Sequence, residues 1–343
     1  KLRIYGIDEQ IARWIESFLG NRTQNAIVDG AESEYAAVRS GVHQGTVMGP
    51  LLFLLFINDL PSVVDPGTEV RLFADDCLVY RSINSLKDQI QFQLDLDALH
   101  KWGKLWGMKF NAKKCHILTV TNKEQPLSKF YELDGTILDH VDSATYLGIL
   151  IHESLRSTEH VRNTVTKCSR RLGFLRRNLK NCPQELRKVA YLSLVRSAAE
   201  YGAAAWDPFL EGDKVALERV QNRAIRWVCG LRPRERTSIT RLRGELKWPT
   251  LERRRKDIRL LYMFKILNNE IALTPEQLQL DRSDQRTRAR HNRKLRVKRA
   301  RTEELKNSFV YRTVPQWNQL PASIAEASSI DQFKSRLTEE LLD

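Results

Sequence analysis

The sequence predicts an α+β fold, with helices and an antiparallel sheet over roughly the first 151 residues and an all-helical remainder. Two observations predict it. Helical periodicity and short apolar runs bounded by turn residues interleave as far as residue 151. Beyond that point the apolar residues recur only at helical spacing.

The elements follow in order. Ile11, Trp14, Ile15 and Phe18 mark a short helix that ends at Gly20-Asn21. Residues 24–38 alternate loosely through Ala26, Val28 and Tyr35, as a hairpin turning at Asp29-Gly30. The loop Ser40-Gly41-Val42-His43-Gln44-Gly45-Thr46 leads to Pro50, which opens an apolar helix over Leu51–Leu60. Val70–Ala74 and Cys77–Tyr80 form a hairpin with Asp75 and Asp76 at its tip. Leu86, Ile90, Leu94, Ala98, Trp102 and Leu105 line a long helix stopped by Gly107. Phe110, Ile117–Val120, Ile137-Leu138 and Tyr146–Ile151 read as strands of the same sheet. Val161, Val165, Cys168, Leu172, Leu175 and Leu179 then step at intervals of 4 and 3, an amphipathic stripe for core packing. Further helices are expected at 183–205, 213–229 and 251–267, with a loop at 178–183.

Composition narrows the function. The longest apolar run, Leu51–Ile57, is far short of the roughly 20 residues of a membrane helix, so a soluble protein is expected. Five scattered cysteines form no C-x-x-C pair, which predicts reduced thiols, an intracellular setting and no Cys/His metal site. The chain starts at Lys1 and not at Met, which predicts a fragment or a processed product. The net charge of +14 is unevenly spread. Residues 1–150 carry 15 basic and 19 acidic side chains, and the rest carry 41 and 23. The run Arg253-Arg254-Arg255-Lys256 reads as a solvated helix face. Between 286 and 301, nine of sixteen residues are basic: Arg286, Arg288, Arg290, Arg293, Lys294, Arg296, Lys298, Arg299 and Arg301. That density with little apolar periodicity suits an arm along a nucleic-acid phosphate backbone. A nuclear-import signal is the competing use, giving a nuclear and cytoplasmic location.

The chemistry centres on Phe73-Ala74-Asp75-Asp76. A pair of acids at a hairpin tip is more often an ordinary solvated turn. Here apolar strands flank it directly, a loop with Gly41, Gly45 and Gly49 precedes it, and the cationic half of the chain can hold a polyanion. Together these ask for phosphoryl transfer with hard divalent cations, since carboxylate oxygens suit Mg²⁺. Trp206, Trp227, Trp248 and Trp317 read as packing anchors in preference to base-stacking platforms.

The run Ser40–Leu51 followed by Phe73-Ala74-Asp75-Asp76 resembles the reverse transcriptase of non-LTR (LINE-type) retrotransposons, of the jockey- and CR1-like kind. Gly107–Cys115 and Tyr146-Leu147-Gly148-Ile149 are similar to two later motifs of that family. The segments 172–179, Glu200-Tyr201 through Trp206-Asp207-Pro208, 217–224 and Ser308-Phe309 through Pro321 also resemble the C-terminal halves of these elements. The resemblance implies a polymerase palm over 1–151, carrying an incomplete antiparallel sheet, an all-α thumb over 152–232 and a helical basic region over 233–343. It implies that Asp75 and Asp76 ligate Mg²⁺ in a two-metal site, and that Lys114 protonates pyrophosphate, with Lys113 a close rival. Gln44, Gly45, Phe73 and Ala74 would meet the incoming dNTP and template, and Tyr146, Leu147 and Gly148 the primer end. Plainer alternatives stay open: Gln44 braces its loop, either lysine is merely solvated, and Tyr146-Leu147 is core. The implied partners are an RNA template, a DNA primer or target and dNTP. The strand bearing the first catalytic aspartate, and the fingers, are expected upstream of Lys1, so the chain alone is expected to polymerise little. The alternative reading is a non-catalytic nucleic-acid-binding remnant of a truncated element.

Overall fold

A computed structural model describes residues 1–123, 130–231, 235, 237–283 and 291–339. The chain divides into two compact units, one of residues 1–117 with 123–141, the other of 118–122 with 142–343.

In the first unit, helix α1 (Glu9–Leu19) starts where the Asp8 side chain accepts a hydrogen bond from the Gln10 N–H. Of its expected stripe only Ile15 is buried, while Ile11 and Trp14 are exposed. Strands β1 (Arg22–Gln24) and β4 (Ala36–Val38) pair antiparallel, as do β2 (Ile27–Val28) and β3 (Ala31–Glu32) around Asp29-Gly30. Helix α2 (Met48–Ile57) holds Pro50 in its first turn, where the missing N–H has no helical partner anyway. It ends three residues earlier than expected, and Leu60–Val63 form a separate 3₁₀ turn.

The hairpin of β5 (Thr68–Phe73) and β6 (Asp76–Arg81) follows. Val70 opposes Val79 and Leu72 opposes Cys77, and this apolar face packs on a core of Ile57, Leu60, Leu96, Leu99 and Trp102. Helix α3 (Leu86–Leu105) begins with a reciprocal cap between Ser85 and Asp88. It ends as expected at Gly107, whose φ of +68° suits the residue after a helix C-terminus. Its buried face shares only Trp102 with the expected one. Leu86, Ile90, Leu94 and Leu105 are exposed, and the face that packs carries Gln89, Asp95, Leu96, Leu99 and Trp102. The cause is a polar clamp. Asp95 accepts hydrogen bonds from the Asp65 N–H and the Thr68 hydroxyl, and the Arg81 guanidinium lies 3.7 Å away, so a carboxylate is what α3 buries against the hairpin.

The expected single sheet is likewise corrected. Among the described residues the strands form six two-stranded pairs, and β7 (His116–Ile117) pairs with β10 (Asp139–His140) in parallel. Strands β8 (Glu132–Leu133) and β9 (Thr136–Ile137) make a tight hairpin. Phe110 lies in no strand; it packs in the core beside Gly103.

The second unit opens with a hairpin of β11 (Ser143–Tyr146) and β12 (Ile149–His152). Helix α4 (Thr158–Asn178) buries Val161, Cys168, Leu172 and Leu175, the face expected from its stripe. Helix α5 (Gln184–Tyr191) runs into a π-helical segment, Leu192–Arg196, and then α6 (Ser197–Glu200) and α7 (Ala203–Trp206). Helices α8 (Glu211–Val228), α9 (Ile239–Glu245) and α10 (Leu251–Leu267) complete a first core containing Trp206 and Trp248, with Trp227 at its edge. Of helices α11 (Glu303–Lys306), α12 (Phe309–Asn318), α13 (Ala322–Ala325) and α14 (Ile330–Glu339), α12 and α14 pack on α10, with α11 against α12 and α13 against α14. They bury Leu260, Phe264, Trp317 and Phe333 in a second core. No helix among the described residues is long and apolar enough to cross a membrane.

The basic run on α10 is not a solvated face. Arg255 and Arg259 are 1% and 2% exposed, and both grip the Asp207 carboxylate, at 2.6 and 2.9 Å. Arg312 on α12 reaches the same carboxylate at 3.2 Å, and Arg254 is paired with Glu200.

Candidate active site and nucleic-acid interface

Register places the two acids differently from a shared tip. Phe73 pairs with Asp76, so the turn consists of Ala74 and Asp75, and Asp76 is the first residue of β6. Ala74 takes a φ of +51°, the left-handed value that the first central residue of a tight hairpin turn requires. Phe73, Ala74, Asp75 and Asp76 are all exposed. The base of the hairpin is bolted down. Arg81 pairs with Asp65 at 2.7 Å, and this guanidinium holds the Asp65 carboxyl below its usual range. Asp88 is held low by the Ser85 hydroxyl, with Arg81 4.0 Å from it. Neither Asp75 nor Asp76 has a side-chain hydrogen bond or ion pair among the described residues, in contrast to these neighbours.

The preceding loop is braced from its sides. Arg22 donates to the Gly41 carbonyl at 2.7 Å, and the Thr46 hydroxyl donates to the His43 carbonyl while accepting from the Gly49 N–H. Gly49 is needed there, because a Cβ would lie 2.7 Å from the His43 oxygen. Gln44 and Gly45 occupy the exposed crest, and Gly45 has a φ of +78° with nothing within 4 Å of a would-be Cβ. Bracing thus falls to Arg22 and Thr46. Lys113 and Lys114 lie on an exposed 3₁₀ turn, Ala112–Lys114, with no ion pair among the described residues.

Tyr146, Leu147 and Gly148 belong to the other unit. Leu147 and Gly148 have φ of +47° and +76° and make the two-residue turn between β11 and β12. The Tyr201 hydroxyl donates to the Leu147 carbonyl at 3.0 Å, and the Leu150 N–H donates to His160 Nδ1 at 3.2 Å. Burial, with Lys167 adding to it, pushes the His160 pKa down, in the direction that favours an Nδ1 acceptor.

Comparison with known proteins supports the motif resemblance. Residues 1–151 match the family model described as reverse transcriptase (RNA-dependent DNA polymerase), a span that contains the Gly-rich loop, the Asp75 hairpin, Lys114 and Tyr146–Gly148. They form a reverse transcriptase domain. The chain is also similar, at 27% identity over 85% of its length, to the RNA-directed DNA polymerase from mobile element jockey of Drosophila melanogaster. It is 31% identical over 62% of its length to the probable RNA-directed DNA polymerase from transposon BS of the same species. A Pol polyprotein from retrotransposable element R2 of Popillia japonica matches at 27% over 56%. These relatives support a non-LTR reverse transcriptase, as the motif resemblance implies. The chain spans 32%, 25% and 32% of their respective lengths.

The carboxylates of this reverse transcriptase domain suit a hard divalent cation in part. Mg²⁺ is commonly held by one or two carboxylates, waters and substrate phosphates, and Asp75 with Asp76 supplies that much. No group of three His, Cys, Asp or Glu side chains that could hold a metal exists among the described residues.

Over its described part the basic segment is not a free arm. Arg286, Arg288 and Arg290 lie outside the described residues. From His291 onward the segment is stitched to α12. His291 Nε2 lies 3.1 Å from the Trp317 carbonyl, Trp317 Nε1 donates to the Arg293 carbonyl, and Asn318 pairs with both backbone groups of Leu295. Arg293 donates to Asn268 and to the Ala325 carbonyl, Lys298 to the Gln279 carbonyl, and Lys294 also has a partner. Arg296, Arg299 and Arg301 are the exposed cations of this stretch. Sequence reasoning misses Arg81, Asp95 and Tyr201. A basic residue closing a strand that carries acids at its far end is the only signal that points to the first.

Proposed function

We propose that this chain carries the palm, thumb and basic C-terminal region of an RNA-directed DNA polymerase, over 1–151, 152–232 and 233–343. One observation carries the reading: two exposed, unpaired carboxylates on a hairpin turn clamped at its base, inside a reverse transcriptase domain. The reaction joins a primer 3′-oxygen to the α-phosphorus of a dNTP and releases pyrophosphate. Asp75 and Asp76 would hold the Mg²⁺, which supplies positive charge against the phosphate oxygens and lowers the pKa of the primer hydroxyl. Gln44 and Gly45, on the crest of the braced loop, would meet the nucleotide and template. Phe73 and Ala74 would set the floor beside it, and Tyr146–Gly148 would hold the primer. Lys114 would deliver a proton to the departing pyrophosphate, with Lys113 its rival.

Two carboxylates do not bracket two ions, so further ligands are assigned to the part of the longer protein outside this chain, expected upstream, and the chain alone is expected to extend primers little. Primer extension on an RNA template with Mg²⁺ tests this in a protein of the relatives' length. Asp75→Asn is expected to lower the rate by on the order of a hundredfold or more. Undiminished extension in that variant would sink the assignment.

The excess of cations after residue 150 favours a second reading, a binder of nucleic acid without synthesis. It predicts salt-sensitive binding that survives Asp75→Asn and no extension by any form of the protein.

A further inference from the structure

The turn between β11 and β12 carries a residue that its own conformation disfavours. Tyr146 pairs with Ile149, so Leu147 and Gly148 alone make the turn, with φ of +47° and +76°. Positive φ at both central residues defines the hairpin turn for which Asn-Gly is a preferred pair. Glycine meets the second position freely. Leucine at the first is strained, because its β-carbon crowds the backbone in the left-handed region and its side chain has no polar group to bond locally in return.

Tyr201 supplies from outside what the leucine lacks. Its hydroxyl donates to the Leu147 carbonyl at 3.0 Å, and its ring lies against Gly148, with Cε1 3.4 Å from where a β-carbon would sit. Tyr201 is 59% exposed, so core packing does not account for its place. Its direction is set by a second turn, between α6 and α7. Tyr201 has φ and ψ of −57° and 123°, and Gly202 has 62° and 15°, the dihedrals of a type II turn. The Trp206 indole N–H donates to the Tyr201 carbonyl at 2.7 Å, and Glu200, just before it, is paired with Arg254 of α10. Gly202 lets the two turns approach, since a β-carbon there would lie 2.7 Å from Ile149 Cδ1. Leu150, next after Ile149, is tied by its N–H to His160 of α4.

We propose that Tyr201 is a positioning residue for the polymerase reaction: through the Leu147 carbonyl, its hydroxyl holds the Tyr146–Gly148 turn in the conformation that meets the primer end. The inference rests on the assignment of that turn to the primer in the proposed function and adds the group that fixes its shape. It needs no contact between Tyr201 and substrate.

Two measurements test it. In the chain itself, hydrogen exchange read by mass spectrometry over residues 143–152 follows the turn without any catalysis. Tyr201→Phe keeps the ring and deletes the donor, and one neutral hydrogen bond corresponds to about a two- to tenfold change in an equilibrium. Exchange over 143–152 is expected to quicken by about that factor. In the Tyr201→Phe background, Leu147→Asn supplies a residue that takes the left-handed conformation more readily, and it is expected to restore protection. A ring that merely packs would not be rescued in this way. In primer extension by a protein of the relatives' length, Tyr201→Phe is expected to raise KM for primer–template by about two- to tenfold, with KM for dNTP moving less. Unchanged exchange over 143–152, no restoration by Leu147→Asn, or an unchanged KM for primer–template would each overturn the inference and leave the polymerase reading standing. Extension undiminished by Asp75→Asn, or none by the unsubstituted protein, would sink that reading and the inference with it.

Discussion

Asp207 is the keystone of the helical unit, and its removal makes a sharp test of how that unit is held. Its carboxylate is 4% exposed and receives Arg255 on one oxygen, and Arg259 and Arg312 on the other, at 2.6, 2.9 and 3.2 Å. Arg259 also donates to Thr313, and Arg312 to the Asp207 carbonyl, so α7, α10 and α12 meet at this point. Burial works against the Arg259 charge, and Asp207 is what offsets it. Arg255 Nη1 is buried with no partner, so the cluster already carries an unsatisfied donor and has no slack. Asp207→Asn keeps the shape, deletes the anion that the three guanidiniums share and turns an amide N–H toward one of them. Breaking a buried pair from one side costs about 3–5 kcal/mol. For a unit of this size 1 kcal/mol moves the melting point by about 2–4 °C, so a fall of roughly 6–20 °C is expected. Thermal melts and urea titrations followed by far-UV circular dichroism read it. Arg312→Gln, at the half-open edge, should cost only about 1–2 kcal/mol because two arginines still hold the carboxylate. A fall under about 2 °C for Asp207→Asn, or a larger one for Arg312→Gln, would refute the reasoning.

Other outcomes follow from single contacts. Gly202→Ala should destabilise the second unit by about 1–3 kcal/mol in urea titrations, since φ is +62° and the new Cβ would sit 2.7 Å from Ile149 Cδ1. His160 titrates below its usual 6.5, so the unfolded chain takes up its proton first on acidification. Its contribution is complete above pH 6.5 and is lost as pH falls from there toward its folded pKa; His160→Phe should flatten the stability–pH curve in that window. On α3 the face that apolar periodicity selects can be set against the face that packs: Ile90→Ser should change stability by no more than about 0.5 kcal/mol, while Leu99→Ala should cost about 2–5. Replacing Arg296, Arg299 and Arg301 together by Gln should lower the salt dependence of oligonucleotide binding without moving the melting point, whereas Arg293→Gln should lower the melting point.

Legibility follows how local each determinant is. The α4 stripe is readable because its apolar residues alone decide which face packs, and a 21-residue helix repeats the signal many times. On α3 the same method finds Trp102 but misplaces Leu86, Ile90, Leu94 and Leu105. There the packing is decided by Asp95, whose partners Asp65, Thr68 and Arg81 stand 14 to 30 residues away, and a carboxylate never scores as core. The hairpin and its acids are visible as two apolar runs around Asp75-Asp76, yet register is set by the positive φ of Ala74, which composition does not reveal. The separate strand pairs escape notice because runs of two residues carry no alternation to read.

The basic clusters show the same rule with a functional consequence. Arg253–Lys256 and 286–301 look alike in sequence, as cations with no visible counter-charge. In the fold, Arg254, Arg255 and Arg293 are consumed by Glu200, Asp207 and Asn268, at separations of 54, 48 and 25 residues. Net charge therefore overstates the surface available to a polyanion. The cations to test first on nucleic acid are accordingly those whose side chains have no partner among the described residues, such as Arg296, Arg299 and Arg301, rather than those the fold has paired.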